Sequence, residues 1–411
     1  MTRLTTTLLV LLSTASLAQA QVPAATEGFT LVSPDGGARL RVGGYLHFDG
    51  RTYPSDAEQR TADQFLFRRA RVLLDGKLWE RFEFRLMPDF AGGRLVLQDA
   101  YVDVKVVEAL NVRVGKFKVP FGLERLQSAT AMSFIERAFP TSLSPNRDLG
   151  LQVHGSVFGG ALAYQLGIFN GVADGGSGDG DISDDKELAA RVFVKPLSKT
   201  GVPLLTGLGL GVAATVGEKK GSAENTELTA LRTTGQLSFF SWRAASDTAE
   251  GVVAAGSHRR LGLQGNYYAG GLGVWAELVW SQQQVSLGED VAVVPERAWQ
   301  LAASYVIGGK NSERGVKLDS GFNPLQGGFG ALEIAARISQ LRIGDQAFTR
   351  FADSSRAARG ADELSGGVRW HLGPAFKVAL DLARTTFDGG AAEGADRSEE
   401  LALLGRAQLA F

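Results

Sequence analysis

The 411-residue sequence contains no cysteine, which excludes disulfides, thiolate metal sites and cysteine nucleophiles. Histidine is scarce. His47, His154, His258 and His371 are too far apart for a compact metal-ligand spacing. No GxSxG, P-loop or HExxH motif occurs, and paired acids on one strand face, such as Asp99 and Asp103, are too common to indicate hydrolysis. No enzyme, metal site or cofactor is therefore expected. An excess of either charge is also missing: 43 Lys and Arg oppose 44 Asp and Glu, a net charge of -1. Such balance excludes a bulk nucleic-acid binder. Beyond the N-terminal segment no run of 18 apolar residues appears, so no transmembrane helix is expected, although barrel strands never produce such a run.

What is present begins with an address. Residues 1–20, MTRLTTTLLVLLSTASLAQA, combine Arg3, an apolar stretch from Leu4 to Leu12 and the small-x-small site Ala18-Gln19-Ala20. This pattern predicts a secretory signal peptide cleaved after Ala20, with an apolar core too short to span a bilayer as a helix. A short periplasmic segment over 21–37 and one domain over 38–411 follow. Apolar residues at 44% and charged residues at 21% argue against disorder.

The mature chain alternates with period two. Leu40, Val42, Leu46 and Phe48 share one parity, against Arg39, Arg41, Tyr45 and His47 on the other. Phe82, Phe84 and Leu86 alternate with Arg81, Glu83 and Arg85 in the same way. One greasy face and one wet face per segment is the signature of a strand. Seventeen candidates follow: 38–48, 64–74, 77–87, 95–106, 110–118, 150–158, 161–169, 188–195, 204–216, 229–240, 256–265, 271–283, 297–308, 330–341, 364–372, 375–384 and 400–411. A single-chain bacterial barrel normally has an even number, so one candidate is surplus or one is missing.

A soluble β-protein would bury the apolar faces, whereas a closed membrane barrel would turn them to lipid and enclose the charges around water. Closure is obligatory in a bilayer, because unpaired edge N–H and C=O groups cost several kcal/mol each in hydrocarbon. The last strand favours the barrel: Leu401, Leu403, Ala407, Leu409 and Phe411 share one parity, and an aromatic residue ends the chain. The expected class is all-β, a closed antiparallel transmembrane barrel. The polar, Gly-rich stretch 173–187 reads as a solvated loop; its acids Asp179, Asp181, Asp184 and Asp185 do not have EF-hand spacing.

Positive charge collects locally. Between residues 65 and 118 eleven basic side chains face seven acidic ones. Arg69 and Arg71 fall on the polar face with Asp75, and Arg39, Arg41, Arg81, Arg85 and Arg113 are clear lumen candidates. Arg68 shares the parity of Leu66 and Ala70, so it would face outward unless a bulge intervenes. Arginine stays cationic and its planar donors match oxyanions. These residues are consistent with anion selection or with ordinary balancing of nearby carboxylates. In 118–148, Pro120 and Gly122 break the strand, leaving an inward-folding loop or an external one. Lys116, Lys118, Arg125, Arg137 and Arg147 are positioned to line it, with Glu124 and Glu136 offsetting them.

The runs Phe65-Leu66-Phe67-Arg68-Arg69-Ala70-Arg71, Asp75-Gly76-Lys77, Asp99-Ala100-Tyr101-Val102 and Gly115-Lys116-Phe117-Lys118-Val119-Pro120-Phe121-Gly122-Leu123-Glu124 resemble the phosphate-selective porin family of Gram-negative outer membranes. Asn146-Arg147-Asp148-Leu149-Gly150 and Gly328–Arg337 extend the likeness along most of the mature chain. The resemblance implies a 16-stranded barrel in outer-membrane lipid, a homotrimer, and an inward constriction loop carrying Glu124, Arg125, Arg137 and Arg147. It also implies a channel lined by Arg and Lys for phosphate or other small anions; together with the local charge pattern, the expected passage runs along Arg68, Arg69, Arg71, Lys77, Arg81, Arg85, Arg113, Lys116 and Lys118. By that likeness Arg68 and Arg69 match a central arginine pair, Lys116 or Lys118 a constriction lysine, and Asp99 an acid that holds the basic side chains in place. A general porin, a structural or adhesive barrel and a soluble secreted β-protein are the alternatives.

Overall fold

The computed structural model describes residues 29–54, 62–180, 184–202, 204–246 and 249–411. The expected signal peptide, residues 21–28 of the expected periplasmic segment, and Asp181 lie outside the described residues.

Sixteen antiparallel strands form the wall. In chain order they are β1 (Ala38–Thr52), β2 (Gln64–Leu78), β3 (Phe82–Asp89), β4 (Val96–Val107), β5 (Leu110–Lys118), β6 (Arg147–Val157), β7 (Leu162–Phe169) and β8 (Glu187–Val194). The second half comprises β9 (Leu208–Lys220), β10 (Val253–Ala269), β11 (Leu272–Leu287), β12 (Asp290–Ile307), β13 (Ala331–Ile343), β14 (Ala358–His371), β15 (Phe376–Gly389) and β16 (Glu400–Ala410). Each strand pairs with the next, and β16 returns to β1 with Tyr45 opposite Ala410 and Thr52 opposite Leu403. Gly44 and Phe411 exchange backbone hydrogen bonds of 2.9 and 3.0 Å at the seam. A short strand, Phe29–Val32, continues the same edge of β1, pairing with Val42 to Arg39. The wall therefore presents no open edge to hydrocarbon.

The surplus strand is 229–240. It contributes only a small hairpin, Leu231–Arg232 against Ser238–Phe240, inside the loop 221–252. Leu231, Phe239 and Phe240 are buried there against Phe139, Val279 and Leu341. Its alternation is real, but the surface covering its apolar side is protein rather than lipid. Alternation reports a half-buried extended segment without saying what covers it.

The wall is inverted relative to a soluble β-domain. Along β15, Leu380 and Leu382 face outward while Asp381 and Ala383 are almost fully buried. Along β1, His47 and Asp49 are enclosed while Leu46 and Phe48 are exposed. Apolar side chains pointing out and charges pointing in fit a bilayer surrounding an aqueous lumen.

Short connections at 79–81, 108–109, 158–161 and 270–271 lie on one rim, and the long loops 119–146, 170–186 and 221–252 lie on the other. Outer-membrane barrels keep short turns on the periplasmic side, which orients this one. The segment 308–330 breaks that pattern. It enters from the periplasmic rim, where Asn311 donates to Ser304 Oγ at 2.6 Å and Gln127 donates to the Glu313 carbonyl at 3.4 Å.

The interior is filled unevenly. At the outer mouth Phe121, Phe139, Leu143, Phe239, Phe240 and Phe351 pack with Val279, Val294 and Leu341 of β11, β12 and β13. Loops thus occupy the lumen on the β9–β15 side, and open space is left along β2 to β6.

Candidate functional site

The site begins with an irregularity in β2. His47 pairs with Arg69, but the next residue, Phe48, pairs with Phe67, so Arg68 is the extra residue of a β-bulge. A bulge resets alternation. Phe67 keeps an exposed position while both Arg68 and Arg69 line the interior cavity. The outward orientation that strict parity assigns to Arg68 is thereby overturned.

The facing wall of the site is the loop 119–146. Gly122 starts it at φ 81°, a left-handed conformation that glycine adopts without strain. A Cβ there would meet the Arg125 Cβ at 2.9 Å. The one-turn helix Leu123–Leu126 follows, and its first two N–H groups donate to the Glu277 carboxylate at 2.7 and 3.3 Å. Glu124 accepts from the Ala138 N–H at 2.8 Å and from Gln300 at 3.3 Å. Further along, Ile135 donates to Asp381 at 2.7 Å and accepts from Arg406 at 2.8 Å. Arg337 donates to the Glu136 carbonyl at 3.0 Å, and Lys377 to those of Thr130 and Met132 at 3.0 and 3.1 Å. Phe134 has the guanidinium carbons of Arg337 and Arg369 at 4.3 and 4.9 Å from its ring centre. The loop is an inward one, strapped to the wall mainly through its own backbone.

Between this loop and strands β2 to β6 lies a cavity of about 1140 Å³. Arg68, Arg69, Arg71, Arg85, Arg94 and Arg113 line it, together with Lys118, Arg125, Arg137, Arg147 and Arg232. Its acidic lining is Asp89, Asp99, Glu136 and Asp174. Eleven cations against four anions leave an excess of seven positive charges, in a chain whose total is -1.

Part of this charge is compensated locally. Arg71 binds Asp89 at 2.7 Å, Arg85 binds Asp75 at 2.6 Å, Arg113 binds Asp103 at 2.5 Å, and Arg147 binds Asp99 at 2.7 Å. Asp99 therefore holds Arg147. Another group has only neutral partners among the described residues. Arg69 meets His47 Nδ1 at 3.2 Å, and Lys118 and Arg137 both donate to the Gln127 carbonyl, at 2.9 and 3.0 Å. Arg125 donates to the Thr141 carbonyl at 2.5 Å. Burial, followed by the fields of Arg137 and Arg147, pushes the Arg125 guanidinium down to about 9. Burial alone would raise the Glu136 carboxyl, but Arg68, Arg69 and Arg406 outweigh it and hold it below the usual carboxylate range. These are the electrostatics of crowded cations.

Three expected residues stand elsewhere. Lys116 has the parity of Val114, which is 52% exposed on the outer face, and it pairs with Asp179 of the loop 170–186 instead of lining the cavity. Lys118 has the same parity but ends the strand, where departure of the chain into the loop frees it from alternation. Lys77 pairs with Glu80 at 2.7 Å near the short-turn rim, and Arg81 is an exposed residue of the turn 79–81. Neither lines the cavity, because β2 and β3 end at the turn that joins them. Conversely, Arg94 and Arg232 line it without having been singled out. Arg94 sits in the non-periodic connection 90–95, where sequence pattern carries no directional signal, and Arg232 in the hairpin strand Leu231–Arg232, whose alternation does not say which side meets the cavity.

A family model described as phosphate-selective porin O and P matches residues 40–411. No curated protein sequence matches the chain. Among solved structures, the outer membrane channel DcaP of Acinetobacter baumannii superposes with a TM-score of 0.59 at 12% identity, covering 94% of this chain and 100% of that one. OmpT of Vibrio cholerae, an outer membrane protein in its trimer form, gives 0.55 at 11% identity, covering 91% and 100%. OprB of Pseudomonas putida gives 0.53 at 12% identity, covering 92% and 95%.

Proposed function

The chain belongs to the phosphate-selective porin O and P family of outer-membrane channels, and from that premise we propose that it forms a passive, water-filled, anion-selective pore for phosphate or related oxyanions. The observation that carries this reading is the excess of seven positive charges around one cavity in a chain of near-zero net charge. A dianion about 5 Å from one arginine gains roughly 1.7 kcal/mol in water before salt screening, and more in a narrow passage. Successive cations of moderate depth hand an anion along, whereas one deep well would stall it. Arg94 and Arg232 would gather anions at the outer mouth, and Arg68, Arg69, Lys118, Arg125 and Arg137 would form the central stretch. Arg85 and Arg113 would lie toward the exit. A homotrimer in outer-membrane lipid completes the proposal; the trimer form of the Vibrio protein supports it.

The pairing of Arg71, Arg85 and Arg113 with wall carboxylates favours a second reading, a general porin without anion preference. Planar-bilayer recordings on the purified protein separate the two. Anion-favouring reversal potentials in a salt gradient, with chloride current inhibited by phosphate, are expected; cation preference without phosphate inhibition would reject the selective channel.

The two lysines give a sharper comparison. Lys118→Gln is expected to lower anion partitioning by up to about fourfold, the equivalent of one unit charge at about 5 Å in water, and with it the anion-to-cation permeability ratio. Lys116→Gln is expected to leave the ratio unchanged, because its ammonium lies outside the cavity. The reverse ranking would place the pathway on the wrong side of β5.

A further inference from the structure

The lining of the cavity includes a carboxylate, Glu136, that competes for the same cations as a permeating anion. Glu136 Oε1 accepts from Arg68 Nε at 2.6 Å and from Arg51 at 3.3 Å, and Oε2 accepts from a second Arg68 nitrogen at 3.3 Å. Arg406 stands 3.8 Å away. The Glu136 side chain is 5% exposed, that of Arg68 31%. These cations do not depend on it equally. Arg406 is already paired with both oxygens of Asp49 at 2.7 Å. Arg68 has no other carboxylate within ion-pair distance among the described residues.

The edge of Arg68 that Glu136 covers is the one formed by Nε and a terminal nitrogen, the fork with which a guanidinium binds an oxyanion bidentately. The carboxylate does not arrive by chance. Its loop is pinned at Ile135 by Asp381 and Arg406, at the Glu136 carbonyl by Arg337, and at Ala138 by Glu124.

We propose that Glu136 is a tethered competitor, which occupies the Arg68 fork and thereby sets how strongly a passing oxyanion is held. It is a specificity-determining residue that acts by exchange: an oxyanion entering the central stretch gains the Arg68 fork only as Glu136 yields. The well stays shallow enough for release, and the preference for divalent over monovalent anions is smaller than it would be beside two free guanidiniums. This inference rests on the anion-channel reading.

The test is Glu136→Gln, which removes the charge but keeps a hydrogen-bond acceptor, measured beside wild type and the double variant Arg68→Gln/Glu136→Gln in planar bilayers. The expected result is half-inhibition of chloride current at an about tenfold lower phosphate concentration in the single variant, with anion preference no lower than in wild type, and with the gain lost in the double variant. An anion-selective wild type with the same half-inhibiting concentration in Glu136→Gln overturns the inference alone. So does raised conductance with reduced selectivity, which would make Glu136 a loop anchor. A gain that survives in the double variant overturns the assignment to Arg68. A cation-selective wild type overturns the channel reading itself, independently of the variants.

Discussion

Replacing Arg68 and Arg69 together with glutamine is expected to lower anion preference, and to weaken phosphate inhibition of chloride current, by at least about tenfold. The reason lies in the local charge count. The two guanidiniums adjoin in the cavity because of a bulge, and the charge nearest to them is Glu136. Removing both leaves that carboxylate with Arg51 and the more distant, Asp49-bound Arg406. Two unit charges at about 5 Å from the path of a monovalent anion represent about 1.7 kcal/mol in water, equivalent to well over tenfold in partitioning. Reversal potentials in a potassium chloride gradient provide the measurement. Selectivity equal to that of wild type would show that the bulged pair does not face the permeating ion. Arg69→Gln alone should give a smaller loss, since it removes one unit charge instead of two.

The second large effect concerns stability rather than selectivity. Arg337 is about 1% exposed, yet it donates to the Glu136 carbonyl at 3.0 Å, to Thr234 Oγ1 at 3.2 Å and to Glu363 at 3.0 Å. It thus ties the loops 119–146 and 221–252 to the wall through one side chain. Arg337→Met is expected to cost about 3–5 kcal/mol, because it leaves the enclosed Glu363 carboxylate without its cation. The expected readouts are a lower urea midpoint for the refolded protein in detergent and, with both loops released, a larger conductance. Glu363→Gln/Arg337→Met should recover part of the loss by removing the stranded charge. A midpoint within error of wild type for Arg337→Met would exclude the strap.

The residues that carried the likeness to phosphate-selective porins serve different physical ends. Arg68 and Arg69 line the cavity, Arg337 anchors two loops, Asp99 holds Arg147, and Lys116 sits on the outer parity beneath Asp179. A sequence signature marks positions where substitution is costly. It does not distinguish a side chain that meets the ion from one that shapes the passage.

The strand pattern was sufficient to mark two-faced strands along the whole chain, because in a strand the two faces are separated by one residue, and the signal peptide and the final strand ending in Phe411 favoured an inside-out barrel over a soluble β-protein. Arg71, Arg85 and Arg113 were legible on the same ground, lying in uninterrupted alternation. Only the folded chain decided what alternation cannot encode. Arg68 turns inward through one extra residue in β2, the extended stretch 229–240 lies under protein instead of lipid, and Lys118 replaces Lys116 because its strand ends there. The convergence of Arg51, Arg68 and Arg406 on Glu136 joins β1, β2, β16 and an aperiodic loop across the lumen. Contacts between segments so distant in the chain follow from barrel closure and loop path, which no local period records.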